Sequence, residues 1–304
     1  MDPHEEFRTE VEKNIDGLVA DTDLQTLSRT WLRESAHHKY CYNFSWLGRP
    51  AIQFPNDTWA LQELVWAIRP DLIIETGIAH GGSLIYSASL LALLEMCDAT
   101  ERGETLDPRK PARKVLGIDI DIRTHNRQAI EAHPMAPRIE MIEGSSIAVE
   151  TVAKVRQIAS GYKRILVCLD SNHSHDHVLA ELEAYAPLVS PGSYCIVFDT
   201  LVEDMPAELS ANRPWGPGNS PKTAVHAFIK NRADFVIDKQ NRPETPDHSR
   251  TGWISPPHRV RVRAANQITR TCLLPAELLP PRKVQPHIEQ FWGTQSRVYN
   301  FQSV

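Results

Sequence analysis

A chain of 304 residues, 41% hydrophobic and 23% charged, can bury a full core and lacks the composition of a disordered protein. Its formal net charge of −5, with no Lys/Arg block through Asp238, leaves no electrostatic footprint for a polyanion and excludes nucleic acid as the expected partner. The scattered cysteines (Cys41, Cys97, Cys168, Cys195, Cys272) form no CxxC pair, the N-terminus does not read as a signal peptide, and no apolar run matches a bilayer, so a cytoplasmic protein with reduced thiols and no membrane span is expected.

In chain order, residues 5–33 carry apolar side chains at helical spacing (Phe7, Val11, Ile15, Leu18, then Leu24, Leu27, Trp31, Leu32). One or two amphipathic helices are predicted, packing on the main domain or on a second subunit of a homo-oligomer. "YCYNFSWLGRPAIQFPND" follows as an aromatic loop, and a helix from about Asp57 to Ile68 stops at Pro70. Residues 1–56 are thus read as N-terminal helices and an aromatic lid loop. Strand and helix signals then alternate: "DLIIET" and "SLIYSASLLALLEMC", "KVLGIDI" and "THNRQAIEAH", "IEMIEG" and "SIAVETVAKVRQIA", "RILVCLD" and "HVLAELEAYAPLV", "YCIVFD" and "KTAVHAFIK". Five such units predict an α/β domain over 57–242 built on a doubly wound, largely parallel sheet. Ligands of such folds bind at the carboxyl ends of the strands.

The first strand ends at Glu75 and passes through "TGIAHGGS" into a helix. Gly77, Gly81 and Gly82 would let a ligand approach the backbone, with Ala79 and Ser83 beside them. The turn is not GxGxxG and lacks the Walker lysine, so a smaller adenosine cofactor such as S-adenosylmethionine fits better than a pyrophosphate; a turn serving only helix–strand packing is the alternative. Asp119 stands where an acid meets ribose hydroxyls, with Asp121 as the other candidate. Gly144, Ser145 and Ser146 could meet the adenine edge or simply start a helix. Asp170 and Asp199 end adjacent predicted strands, where two carboxylates repel unless a cation such as Mg²⁺ or Mn²⁺ lies between them; helix capping is the competing role. Of His173, His175 and His177, spacing alone does not choose a zinc or iron ligand or a base, and His173, nearest Asp170, is taken as the base.

Several blocks in order resemble the cephalosporin hydroxylase family, which includes rhamnosyl and other sugar O-methyltransferases: "YNFSWLGRPAIQFPND", "LQELVWAIRPDLIIETGIAHGGSL", "GIDIDIR", "IEMIEGSS", "LDSNHSHDHVLAELEAYAPLVSPGSY" and "RPWGPGNSPKTAVHAFI". The resemblance runs from about Tyr40 to Lys239. It implies a Rossmann-like class I methyltransferase fold, S-adenosylmethionine as donor, a divalent cation, and a small-molecule or glycoside acceptor. Carried over by position, the glycine turn would hold the methionine part, Asp119 the ribose and Asp170 the metal. Where some members carry Glu-Asp after the fifth strand, this chain has Phe198 before Asp199, so one carboxylate is missing and Glu203 or Asp204 would have to compensate. An antibiotic-modifying hydroxylase and an inactive binding homologue are the alternatives.

Residues 243–304 are rich in Pro and Arg and do not follow the family, which would close with something like "LLITVAPDGYLRR". Codons for Pro243 to Pro257 read one nucleotide later can yield "LKPLITVAPDGYLRR", so a frameshift product with a poorly ordered tail is expected, with a lineage-specific Pro-rich extension as the alternative. The DNA sequence of codons 240 to 260 decides this.

Overall fold

The N-terminal segment folds as two helices because an aspartate heads each of them. Asp2 accepts from His4 N (3.0 Å) ahead of α1 (Pro3–Ala20), and Asp21 accepts from Leu24 N (2.9 Å) ahead of α2 (Thr22–His37). α1 buries no residue; α2 buries Leu32. The aromatic stretch that reads as a loop contains a hairpin, β1 (Phe44–Trp46) and β2 (Arg49–Ala51). Leu47 (φ 45°) and Gly48 (φ 83°) form its left-handed two-residue turn, the geometry that matches strand twist. α3 (Pro55–Ile68) starts on a proline and ends before the left-handed Arg69.

This computed structural model describes residues 2–230, 232, 234–237 and 260–264. Among them, strands β3 (Leu72–Thr76), β4 (Lys114–Asp119), β5 (Ile139–Glu143), β6 (Ile165–Leu169), β7 (Tyr194–Val197), β8 (Phe235–Ile237) and β9 (Val260–Ala264) form one sheet in the order β5-β4-β3-β6-β7-β9-β8. All its pairs are parallel, as expected of strands connected through helices. These helices are α4 (Gly82–Arg102), α5 (Thr124–Glu131), α6 (Val149–Ala159), α7 (His175–Tyr185) and α8 (Pro221–Lys230). The direction of winding reverses between β3 and β6, which places the switch point at Thr76 and Leu169.

Every residue of β3 and β6 is buried, which explains their unbroken apolar runs. Successive side chains feed opposite cores. Ile73 and Leu166 pack with α3, α4 and Ile130 of α5, while Leu72, Ile74 and Val167 pack with α6, α7 and α8. α4 has the length and hydropathy of a bilayer span. Its Leu84, Ile85, Ala88, Leu91 and Leu94 are nevertheless buried against the sheet, so it serves as a core helix. At the edge away from the switch point, Arg138 pairs with Glu95 (2.6 Å) and Arg113 with Asp98 (2.7 Å), tying α4 to β4 and β5.

The described elements belong to one compact unit. The expectation for the tail falls outside the described residues except at 260–264. Those residues form β9 between β7 and β8, parallel to both.

Candidate functional site

β3, β6 and β7 end side by side, and three side chains meet just beyond β6 and β7. One ligand atom from each of Asp170, His173 and Asp199 lies within 4.8 Å of the others. His173 Nδ1 is 2.7 Å from Asp199 Oδ2, and Nε2 is 3.9 Å from Asp170 Oδ1. Asp199 takes a left-handed backbone (φ 53°), which aspartate tolerates better than most residues and which turns the chain sharply away from β7. Asp170 caps no helix, since α7 begins after Ser174, and Asp199 stands at the N-cap of the short turn Thr200–Asp204 without a capping bond from its side chain.

The electrostatics of the three groups are coupled. Burial, and then the Asp199 charge, push Asp170 well above the usual carboxylate range, against His173 and a hydrogen bond from Gln53 Nε2 (2.6 Å). Burial alone would lower His173, but the Asp199 charge and hydrogen bond, with Asp170, outweigh it and push the imidazole up to about 9. Two acids thus crowd one imidazole in this pocket, a repulsion that a divalent cation would relieve. Two carboxylates and one imidazole suit a hard ion such as Mg²⁺ or Mn²⁺ better than the two-histidine, one-carboxylate face of an iron oxygenase.

The three histidines go to three places. His173 joins the aspartates, His175 bonds Thr223 Oγ1 (2.8 Å) at the start of α8, and His177 turns towards Ser146. His173 also stacks on Trp215, with ring centroids 5.0 Å apart at 21°, and the Arg213 guanidinium lies 5.4 Å from the Trp215 ring. Phe198, where a second acid was missed, is buried in the core, so the third corner of the cluster is an imidazole. Glu203 and Asp204 stand outside the cluster. Glu203 accepts from Gly218 N (2.9 Å) and Ser220 Oγ (2.6 Å), and Asp204, expected as a ligand, is held by Lys222 Nζ at 2.7 Å.

A cavity of about 400 Å³ opens over this cluster, a size ordinary for small-molecule sites. Gly77, Ala79, Gly82 and Ser83 form one wall, with Leu32, Tyr42 and Trp215 elsewhere on its lining. The glycines answer a packing need of the chain itself. A Cβ on Gly77 would sit 2.0 Å from the carbonyl oxygen of Asp170, and one on Gly82 would sit 2.2 Å from that of Pro50. Gly81 lies against Ile130 and does not line the cavity. Arg49 donates from Nε to His80 O (3.1 Å) and from Nη2 to Asn126 Oδ1 (3.1 Å), and Trp46 Nε1 donates to Ser89 Oγ (3.0 Å). The hairpin is thereby clasped onto the glycine turn, and Tyr42 faces the cavity.

Other expected cofactor residues stand apart from this cavity. Asp119 Oδ2 accepts from Ile78 N (2.8 Å) and Ala79 N (3.2 Å), and Oδ1 from Asp121 N (3.1 Å), so its carboxylate braces the glycine turn. Gly144 and Ser145 shape the turn after β5, where Gly144 N bonds Asp119 O (2.8 Å), and Ser146 is buried against His177. Glu75 is buried beneath the turn, accepts from the Ser83 hydroxyl, and borders a smaller cavity with Cys168 and Asp170.

Burial pushes the Glu75 carboxyl up to about 7, against that hydrogen bond. The unfolded carboxyl releases its proton near 4.5, so the folded state binds more protons across this window and loses stability as pH rises through it. Glu75→Gln should remove about 3 kcal/mol of that loss. Chemical denaturation at intervals from pH 5 to 7.5 checks this, and equal pH slopes in the two proteins would refute it.

Sequence reasoning missed Gln53 and Trp215. Both lie inside quoted blocks, and an aromatic residue held in the Pro/Gly-rich "RPWGPGN" is the available signal, because such loops carry binding residues on a rigid scaffold.

A parallel sheet reversed at β3/β6, a glycine turn after its central strand, and an acid at the end of the next strand define a Rossmann-like fold of the methyltransferase type. Residues 38–254 match the family described as Rhamnosyl O-methyltransferase/CmcI, and the chain belongs to that O-methyltransferase family. It is 27% identical over 235 residues to the rhamnosyl O-methyltransferase of Mycobacterium bovis (strain BCG / Pasteur 1173P2), spanning 75% of this chain and 83% of the relative. It is 29% identical over 177 residues to the protein of the same name from Mycobacterium leprae (strain TN), spanning 56% and 69%. Among solved structures it is similar to the MycE methyltransferase of the mycinamycin biosynthetic pathway in complex with Mg and SAH, at 18% identity and a TM-score of 0.38, covering 66% of this chain and 44% of that one.

Proposed function

We propose that the chain is an S-adenosylmethionine-dependent, divalent-metal-assisted O-methyltransferase acting in the cytoplasm on a sugar hydroxyl. The observation that carries this reading is the convergence of Asp170, His173 and Asp199 on a cavity walled by the glycine turn. Membership of an O-methyltransferase family supports the reaction type.

The turn from Gly77 to Ser83 is assigned the methionine part of the cofactor, with Glu75 bracing it through Ser83. Asp119 serves the ribose while holding the turn, since a carboxylate oxygen accepts more than one hydrogen bond; Gly144, Ser145 and Ser146 serve the adenine. Asp170 and Asp199 would hold Mg²⁺ or Mn²⁺, which when bound would lower the pKa of an acceptor hydroxyl and, by its charge, favour the neutral form of the neighbouring His173 ring. His173 has Nδ1 engaged by Asp199, which leaves Nε2 to take the acceptor's proton. The stack on Trp215 limits rotation of that ring. Trp215 and Tyr42 offer faces to a sugar ring. Leu201, Val202, Met205 and Leu209 make the lining apolar beyond them, which suits a glycoside with an apolar aglycone.

Calorimetric titration of S-adenosylhomocysteine with Mg²⁺ present, followed by transfer of labelled methyl to a panel of rhamnosides and other glycosides with and without EDTA, tests the reading. Saturable binding and EDTA-sensitive transfer are expected. A folded sample that binds no S-adenosylhomocysteine would overturn it.

A further inference from the structure

A second polar cluster lies beside the site, and of its residues only Ser146 has a role above. His177, in the first turn of α7, brings Nε2 to 3.1 Å from Ser146 Oγ and 3.2 Å from Ser171 Oγ. The same nitrogen is 3.4 Å from Glu181 Oε1, one helical turn further on, which Ser171 Oγ also reaches at 2.6 Å. Tyr185, a further turn along α7, donates its hydroxyl to the Ser146 carbonyl. Glu181 is wholly buried, and its Oε2 has no hydrogen-bond partner among the described residues. Burying an incompletely satisfied carboxylate is costly, so its retention calls for an explanation.

Position supplies one. Ser146 ends the turn after β5, Ser171 follows the cluster residue Asp170, and β4 and β3 separate β5 from β6 in the sheet. One imidazole therefore joins two strand-end turns that no ladder connects. We propose that His177 is a positioning residue that couples the cofactor-side turn at Ser146 to the metal-side turn at Asp170, so that filling either site raises affinity for the other. The inference rests on the cofactor reading above. Whichever ligand binds first orders the shared hydrogen-bonded unit, and the second then loses less conformational freedom on binding. The effect must be reciprocal, because linkage between two binding equilibria has a single coupling free energy.

The test is calorimetric titration of S-adenosylhomocysteine with and without saturating Mg²⁺, and of Mg²⁺ with and without S-adenosylhomocysteine. Wild type, His177→Phe, His177→Gln, Ser146→Ala and Ser171→Ala are compared. Wild type is expected to bind each ligand about 5- to 20-fold more tightly in the presence of the other. In His177→Phe the ratio should fall to within about twofold of unity, while Mg²⁺ alone still binds, because the pairwise coupling has been removed. His177→Gln, whose amide can still reach one hydroxyl, should recover part of the ratio; a residue that merely fills space would show no such recovery. If His177→Phe does not fold by circular dichroism, the two serine variants each remove one arm and must each lower the ratio. A wild-type ratio of one, or variants that keep the wild-type ratio, would overturn the coupling. Failure of folded wild type to bind S-adenosylhomocysteine at all would instead remove the cofactor reading on which the inference stands.

Discussion

Asp170→Asn is expected to lower methyl transfer about 10²- to 10³-fold, since a metal contributes several kcal/mol to such a step. It should nevertheless leave the metal-free protein at least as stable as wild type. The carboxylate is buried beside Asp199, and both effects raise its pKa well above the usual range; a neutral amide of the same shape avoids that repulsion. Mg²⁺ at a hundredfold its Kd should stabilise wild type by about 2.7 kcal/mol, the mass-action gain from binding only the folded state, and should leave the melting temperature of Asp170→Asn unchanged. Asp204→Asn is the comparator. Asp204 is half exposed and pairs with Lys222 at 2.7 Å, and exposed pairs contribute about 0–1 kcal/mol. Its activity and its response to Mg²⁺ should stay within about twofold of wild type. Thermal melts with and without Mg²⁺, alongside methyl-transfer rates, decide between the two aspartates; loss of the metal response in Asp204→Asn alone would place the ion elsewhere.

The sheet was legible because its signals are local. "LIIET" and "ILVCL" are short apolar runs bounded by polar turns, and each is followed by an amphipathic helix, so the order of elements follows from period alone. The hairpin at Phe44–Ala51 was legible in principle from the glycine of "WLGR", but a leucine in a left-handed conformation is not what turn statistics favour. The tail shows the converse. Val260–Ala264 alternates in the manner of a strand, and a composition dominated by Pro and Arg concealed it. At the site, Asp170 and Asp199 could be read because each ends a strand, and the topology brings strand ends together. Gln53 could not be read, because 117 positions separate it from the carboxylate it bonds. The three histidines differ only in where a loop and one helical turn point them, which no spacing rule specifies. Asp119 was placed at the right strand end, yet the hydrogen bonds from Ile78 and Ala79 depend on how the turn closes, and the sequence of neither segment states that.

Gly77→Ala is expected to destabilise the protein by about 2–4 kcal/mol and to weaken the metal site beyond that. Two costs combine. At φ 90° an L side chain is strained wherever it sits, which is worth about 1 kcal/mol. The new Cβ would also lie 2.0 Å from the carbonyl oxygen of Asp170 and 2.7 Å from its carbonyl carbon, and overpacking against an immobile neighbour costs about 1–3 kcal/mol more. The neighbour is immobile because it is backbone: Asp170 N bonds Thr76 O at 3.0 Å, and Gly77 N bonds Ile118 O at 2.8 Å. Gly192→Ala separates the two costs, since its φ is 79° but an added Cβ meets nothing within 4 Å. That variant should lose only about 1 kcal/mol and bind Mg²⁺ as wild type does. The excess loss in Gly77→Ala, read as a melting temperature lower by roughly 2–4 °C per kcal/mol, reports the clash alone. Relief of the clash requires Asp170 to move, and its carboxylate moves with it, so Mg²⁺ affinity should fall in the same variant. A Gly77→Ala protein with the stability of Gly192→Ala and an unaltered metal response would show that the turn after β3 can part from the end of β6. The close contact at Gly77 would then no longer explain why the glycine turn and the carboxylate cluster occupy one site.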